Sequence, residues 1–133
     1  MKKQILITAI PHHKQRYETV GDWIPHAKAL YIRVSQMKDS RYTFLVALHE
    51  LIESELCSAH GIREREVSTF DRTFEWERSL GLHPKSAEPG NDPRCPYRKE
   101  HQYATKIERM TARKIGANWK QYKKTVETLG EVV

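Results

Sequence analysis

The chain has 133 residues, enough for one domain with one core but not two. Its 23 Lys and Arg outnumber 17 Asp and Glu for a net charge of +6, and its two cysteines, Cys57 and Cys95, lack the spacing of a zinc ribbon or a redox pair. The charge is segregated, with eight basic against three acidic residues in 1–49, five against ten in 50–92 and ten against four in 93–133. Basic ends of this kind suit a nucleic acid or another acidic partner, and they equally serve solubility.

Gln4 to Ile10 (QILITAI) is rich in β-branched residues and is closed by Pro11, the pattern of a strand. This apolar run is too short for a signal peptide or a membrane span, so a reduced, cytoplasmic protein with no membrane association is expected. Residues 12–22 are polar and end in Gly21-Asp22, which predicts a loop. Ala29 to Ser35 (ALYIRVS) sets Leu30, Ile32 and Val34 against Tyr31, Arg33 and Ser35, the period of a half-buried strand.

From Thr43 to His60 the period is that of a helix, with Asp39 or Ser40 as N-cap and Gly61 as the stop. At 100° per residue, Leu45, Leu48, Ile52, Leu56 and Ala59 fall within an arc of about 80°, the expected buried face. Cys57 is expected to pack in this helix as a small apolar residue. Residues 64–80 predict a second helix with Val67, Phe70 and Phe74 on one side, ending near Gly81. Residues 82–96 hold four prolines, Gly90 and Asn91-Asp92, a long loop of the kind that is ordered for a reason or not at all. Tyr97 to Ile115 predicts a third helix stopped by Gly116, and residues 118–129 a short fourth. The expected fold is one α+β domain over residues 1–133. Two N-terminal strands (residues 1–40) pair beside a bundle of three main helices and a short C-terminal helix (residues 41–133).

The chemistry concentrates in His49-Glu50-Leu51-Ile52-Glu53 (HELIE). Positions i and i+4 share a helix face, so His49 and Glu53 are placed to bind one ion while Glu50 serves as the general base for a water. HExxE is less specific than HExxH, because glutamate is common in helices and a solvated helix carries the same letters. His60 lies on the same shoulder of the helix and is an alternative ligand. On the third helix, His101, Ala104, Thr105 and Glu108 share a face, and the small residues allow another helix to approach closely. If that helix packs on the first, His101 completes a His-Glu-His set with an open fourth position, which suits catalytic zinc. Glu108 is then the acceptor for a ligand histidine's free N–H. Asp71 and Glu75, at i and i+4 on the second helix, are further alternative ligands. Together with Glu50 and Glu53 they would favour magnesium or manganese, unless they simply pair with Arg72 and Arg78.

HELIE, FDRTFE, the Pro-Tyr before the third helix and the His101, Ala104, Glu108 series resemble a family of small uncharacterised proteins of bacterial viruses and prophages. A more distant resemblance is to minimal zincin metallopeptidases, in which a strand precedes a helix bearing HExxH. There His49 and Glu50 match the first ligand and the base, while Glu53 replaces the second histidine. That resemblance implies a metal-dependent hydrolase acting on a protein or peptide, with Ala29–Ser35 as the edge strand that takes an extended substrate. The other classes open are a magnesium-dependent nucleotide or phosphate hydrolase and a phage-type binding protein whose HELIE helix is only structural.

Overall fold

The computed structural model describes residues 4–129. The chain runs from β1 (Gln4–Ile10) through a 3-10 turn at His12–Lys14 to β2 (Gly21–His26) and β3 (Ala29–Ser35). Four helices follow, α1 (Ser40–Ala59), α2 (Glu64–Ser79), α3 (Arg98–Lys114) and α4 (Trp119–Thr128), with a second 3-10 turn at Pro89–Asn91. The class is α+β, as expected, with the sheet enlarged by one strand.

The sheet order is β1-β3-β2, with β1 parallel and β2 antiparallel to β3. The extra strand β2 takes in Gly21 and Asp22, the end of the expected loop, and continues through residues 23–26, for which the sequence predicts no element. Its sequence, GDWIPH, has no alternation, and its Pro25 is tolerated because β2 is an edge strand. The strand is imposed by its pairing with β3 and by the burial of Trp23. The two-residue connection places Ala27 at φ 54°, in the left-handed region, without the Asn-Gly or Gly that would announce such a turn. Because β2 and β1 flank it, β3 is the central strand, so its backbone groups are already paired. The expectation that Ala29–Ser35 is a substrate-binding edge is therefore incorrect.

Leu30, Ile32 and Val34 of β3 pack into a core with Tyr42, Leu45 and Val46 of α1. The Asp39 side chain accepts the Arg41 N–H at 3.0 Å and caps α1, and Gly61 at φ 73° lets the chain leave it. The buried face of α1 differs from the expected one. Tyr42, Leu45, Val46, His49, Glu53 and Cys57 are buried, whereas Leu48, Ile52 and Leu56 are only half-buried and Ala59 is exposed. At 100° per residue this turns the inner face by about 80° and moves His49 and Glu53 from its shoulder to its centre. Across from them, α3 buries Glu100, His101, Ala104, Glu108 and Ala112, and the two small alanines let α1 and α3 lie close. Among the described residues, no helix is long and apolar enough to cross a membrane.

Candidate metal centre

His49 and Glu53 stand one turn apart on α1, and His101 reaches the same point from the first turns of α3. His49 Nε2 to Glu53 Oε2, His49 Nε2 to His101 Nδ1 and His101 Nδ1 to Glu53 Oε2 are each 3.1 Å. Three atoms at those separations can all be reached from one point about 2.0–2.2 Å away, the length of zinc bonds to nitrogen and oxygen. Among the described residues this is the one group of His, Cys, Asp and Glu side chains close enough to share an ion.

Each member of the triangle is fixed by its other polar atom. His49 Nδ1 donates to Glu108 Oε1 at 2.8 Å, and Tyr122 of α4 donates to Glu108 Oε2 at 2.5 Å. His101 Nε2 donates to Glu88 Oε1 at 3.1 Å, and Lys123 donates to Glu88 Oε2 at 2.7 Å. The Trp23 indole donates to Glu53 Oε1 at 3.2 Å. These carboxylates fix opposite tautomers, N–H on Nδ1 of His49 and on Nε2 of His101, so both inward nitrogens present lone pairs. Two nitrogen lone pairs and a carboxylate oxygen converging at 3.1 Å repel one another unless a cation or a proton lies between them.

The local electrostatics follow from this convergence. Burial disfavours charge on His49, but the carboxylates of Glu108 and Glu53 outweigh it and hold its pKa well above 6.5. Burial likewise opposes charge on His101, whose pKa is nonetheless raised by Glu53 and Glu88. Glu53 resists burial through its bonds from His101 and His49 and falls to about 2, and Glu88 is lowered for the same kind of reason by His101 and Lys123. Protons held on the histidines take the place a divalent ion would fill, so metal and protons compete for the site.

Glu88 and Gly90 arrive on the proline-rich loop, which Arg78 holds down. Its guanidinium donates to the carbonyls of Pro84 (2.5 Å), Lys85 (3.1 Å) and Ala87 (2.7 Å). Glu75 accepts from the same guanidinium at 2.9 and 3.1 Å. Gly90 is buried against the His101 ring so tightly that a Cβ there would lie 2.2 Å from His101 Cγ. The loop packs flat on the ligand because residue 90 has no side chain.

The triangle faces a cavity of about 270 Å³ that Glu50, Asp71 and Tyr97 also line. Glu50 has no hydrogen-bonding partner among the described residues. Burial, and then the charge of Glu53, push its pKa well above 4.5, and a cation at the triangle would lower it again. Asp71 accepts hydrogen bonds from Tyr97 and, at 3.0 Å, from Tyr17, and burial raises its pKa to about 7.

The remaining sequence candidates stand apart from the triangle. His60 shares a face with His49 but lies eleven residues on, about 16 Å along the axis, where it is exposed and pairs with Glu100 at 2.5 Å. Glu75 is engaged by Arg78, the surface pairing weighed against a ligand role, and Asp71 is engaged by tyrosines and not by Arg72. The sequence reading did not find Glu88, Trp23, Tyr122 or Lys123. An ordered proline-rich loop was the only signal for Glu88. Compared with known protein families, curated proteins and solved structures, the chain has no match in any of the three.

Proposed function

We propose that the protein is a metal-dependent hydrolase of zincin-like type, with His49, Glu53 and His101 holding zinc and Glu50 acting as general base. The observation that carries this reading is the triangle of 3.1 Å separations in which every ligand's outer atom is already held by a partner. A fortuitous cluster of buried polar residues has no reason to aim three acceptors at one point and to support all three from behind. Two imidazoles and one carboxylate form a donor set used by catalytic zinc, whereas magnesium and manganese favour oxygen-rich sites. Asp71 and Glu75 would be needed to make the site oxygen-rich, and both are engaged elsewhere. Magnesium or manganese is therefore the weaker alternative.

A zinc ion in this site would supply Lewis acidity, making water nucleophilic near neutral pH and polarising the group under attack. Glu50, free in the cavity wall beside His49, takes the proton from the attacking water and returns it to the leaving group. Gly21 of β2 lies directly against it, since a Cβ there would be 2.8 Å from Glu50 Cγ. The edge that borders the site is thus β2, and an extended peptide substrate would run along it. The cavity admits a group of side-chain size.

Elemental analysis of protein purified without a polyhistidine tag tests the reading. Zinc near one per chain is expected in the wild type and in Glu50→Gln, and should be lost from His49→Ala and His101→Ala. Hydrolysis of a peptide or ester panel is expected to fall roughly 10²–10⁴-fold in Glu50→Gln. A folded wild-type protein that takes up no zinc, magnesium or manganese would make HELIE a structural helix and the protein a binding protein.

A further inference from the structure

The charge on α3 is sorted by face. Its two acidic residues point inward, Glu108 to His49 and Tyr122, and Glu100 to His60. Its exposed positions include Arg98, Lys99, Lys106, Arg109, Arg113 and Lys114, with no acidic residue among them. At 100° per residue these six cations lie within an arc of about 160° centred near Lys106, and His101 and Glu108 lie on the opposite side. None of the six makes a salt bridge among the described residues. The near end of α4, whose Trp119 ring lies under Arg109 at 5.5 Å, adds exposed Lys120 and Lys124.

Solubility does not require this arrangement, and α2 is the internal comparison. That helix also lies at the surface, but its Glu64, Glu66, Glu75 and Glu77 are engaged by Arg16, Arg63, Arg78 and Arg94 respectively. A surface of interspersed, paired charges is the ordinary soluble solution. On α3 six exposed cations present one sign with no acidic partner among the described residues, and a bound polyanion would relieve their mutual repulsion. The helix is 17 residues long. It therefore runs about 25 Å, past several phosphates of a backbone that carries one charge every 3.4 Å per strand. Tyr103 (51% exposed) and Met110 (58% exposed) share the arc and offer apolar contact to sugars or bases.

We propose that the outer face of α3 binds the phosphodiester backbone of a nucleic acid. Lys99, Lys106 and Arg113, at successive seven-residue intervals, form the central line of contact, and the binding does not read base sequence. The face points away from the triangle and does not depend on the metal reading.

Fluorescence anisotropy with a labelled mixed-sequence duplex and its single strand, titrated between roughly 50 and 200 mM salt, tests the proposal. The log of affinity should fall against the log of salt with a slope of about −3 to −5 for the duplex, at 0.9 per phosphate contacted. Lys99→Gln, Lys106→Gln and Arg113→Gln should each remove about 1 from that slope. The triple reversal Lys99→Glu, Lys106→Glu, Arg113→Glu should abolish binding without changing the circular dichroism spectrum, since all three side chains are exposed. Treatment of the wild type with a metal chelator should leave the binding unchanged, which separates this face from the metal centre. Tighter binding of the single strand that is lost in Tyr103→Ala would identify unpaired nucleic acid as the preferred form. No binding to either strand form at low salt overturns the proposal, and so does a triple reversal that binds like the wild type. Binding only to phosphatidylcholine–phosphatidylserine vesicles overturns it in favour of a membrane-surface contact.

Discussion

His49 and His101 meet at one point from differently built surroundings. His49 stands in the middle of a 20-residue helix, and its outer nitrogen is held by Glu108 of α3, itself held by Tyr122. His101 also stands on a helix, but its outer nitrogen is held by Glu88 of the proline-rich loop, and that loop keeps its place through Arg78, Lys123 and the bare backbone of Gly90. The first support is a product of helix packing. The second depends on side chains that pin a loop of irregular backbone, and it is expected to fail first when perturbed.

The largest expected difference comes from adding a single methyl group. Gly90→Ala forces a Cβ to within 2.2–2.5 Å of the His101 ring atoms, so the ring or the loop must move. Overpacking of this kind costs about 1–3 kcal/mol of stability. Because a ligand ring is displaced, zinc affinity should fall by more than the 10–100-fold typical of losing an outer partner. Gly21→Ala is the counterpart on the other side: its Cβ meets Val46 and Glu50 at 2.6 and 2.8 Å and touches no ligand, so zinc should remain while turnover drops. Isothermal titration with zinc, thermal melts and hydrolysis of the same peptide or ester panel read both. A Gly90→Ala protein that binds zinc as tightly as the wild type would remove the loop from the site.

This asymmetry also divides what was legible in the sequence from what was not. A helix repeats every 3.6 residues, so letters alone placed Glu53 one turn from His49 and Glu108 on a line with His101. Periodicity then misjudged which face of α1 is buried. The stripe of Leu48, Ile52 and Leu56 is the more apolar, but Glu108 and His101 of α3 and Trp23 of β2 satisfy His49 and Glu53, and a satisfied polar group can take the centre of an interface. The strand β2 was missed because its conformation comes from β3 and from Trp23, not from its own residues. Glu88 was missed because a loop has no period, and its position is set by Arg78, ten residues earlier, bonding carbonyls that any sequence would offer.

A milder test removes one outer carboxylate at a time. Glu108→Gln and Glu88→Gln keep the shape of each side chain but lose its charge, and each should weaken zinc binding by about 10–100-fold. The helical side should show the larger stability effect. The Glu108 carboxylate is buried between His49 and Tyr122, where an imperfectly paired group costs about 1–3 kcal/mol, whereas Glu88 is partly exposed and Lys123 can turn to water. Equal melting temperatures for the two variants would mean that the loop is as integral to the fold as the helices.

The smallest effect is the pH dependence of the metal-free protein. Both imidazoles have folded pKa values above the ordinary 6.5, so the folded state keeps protons that the unfolded chain has released. Their contribution to stability is fully present below about pH 6.5 and is lost as pH rises through the raised values. Asp71, raised to about 7, acts in the same direction from about pH 4 upward. Glu53, lowered to about 2, and Glu88, also lowered, act oppositely: their contribution is present above the ordinary carboxylate value of 4.5 and is lost as pH falls through the folded values. The metal-free melting temperature should therefore peak between roughly pH 4.5 and 6.5 and decline toward pH 8. Zinc should reverse that decline, because its ligands bind unprotonated and its stabilisation grows as the protons leave. Burial opposes the proton on each imidazole, and Glu108 with Glu53 holds it on His49 as Glu53 with Glu88 holds it on His101, so Glu108→Gln and Glu88→Gln should each flatten the alkaline limb. A metal-free melting temperature that stays level from pH 6 to 8, or one that zinc shifts equally at both ends, would mean that protons do not occupy the triangle when the metal is absent.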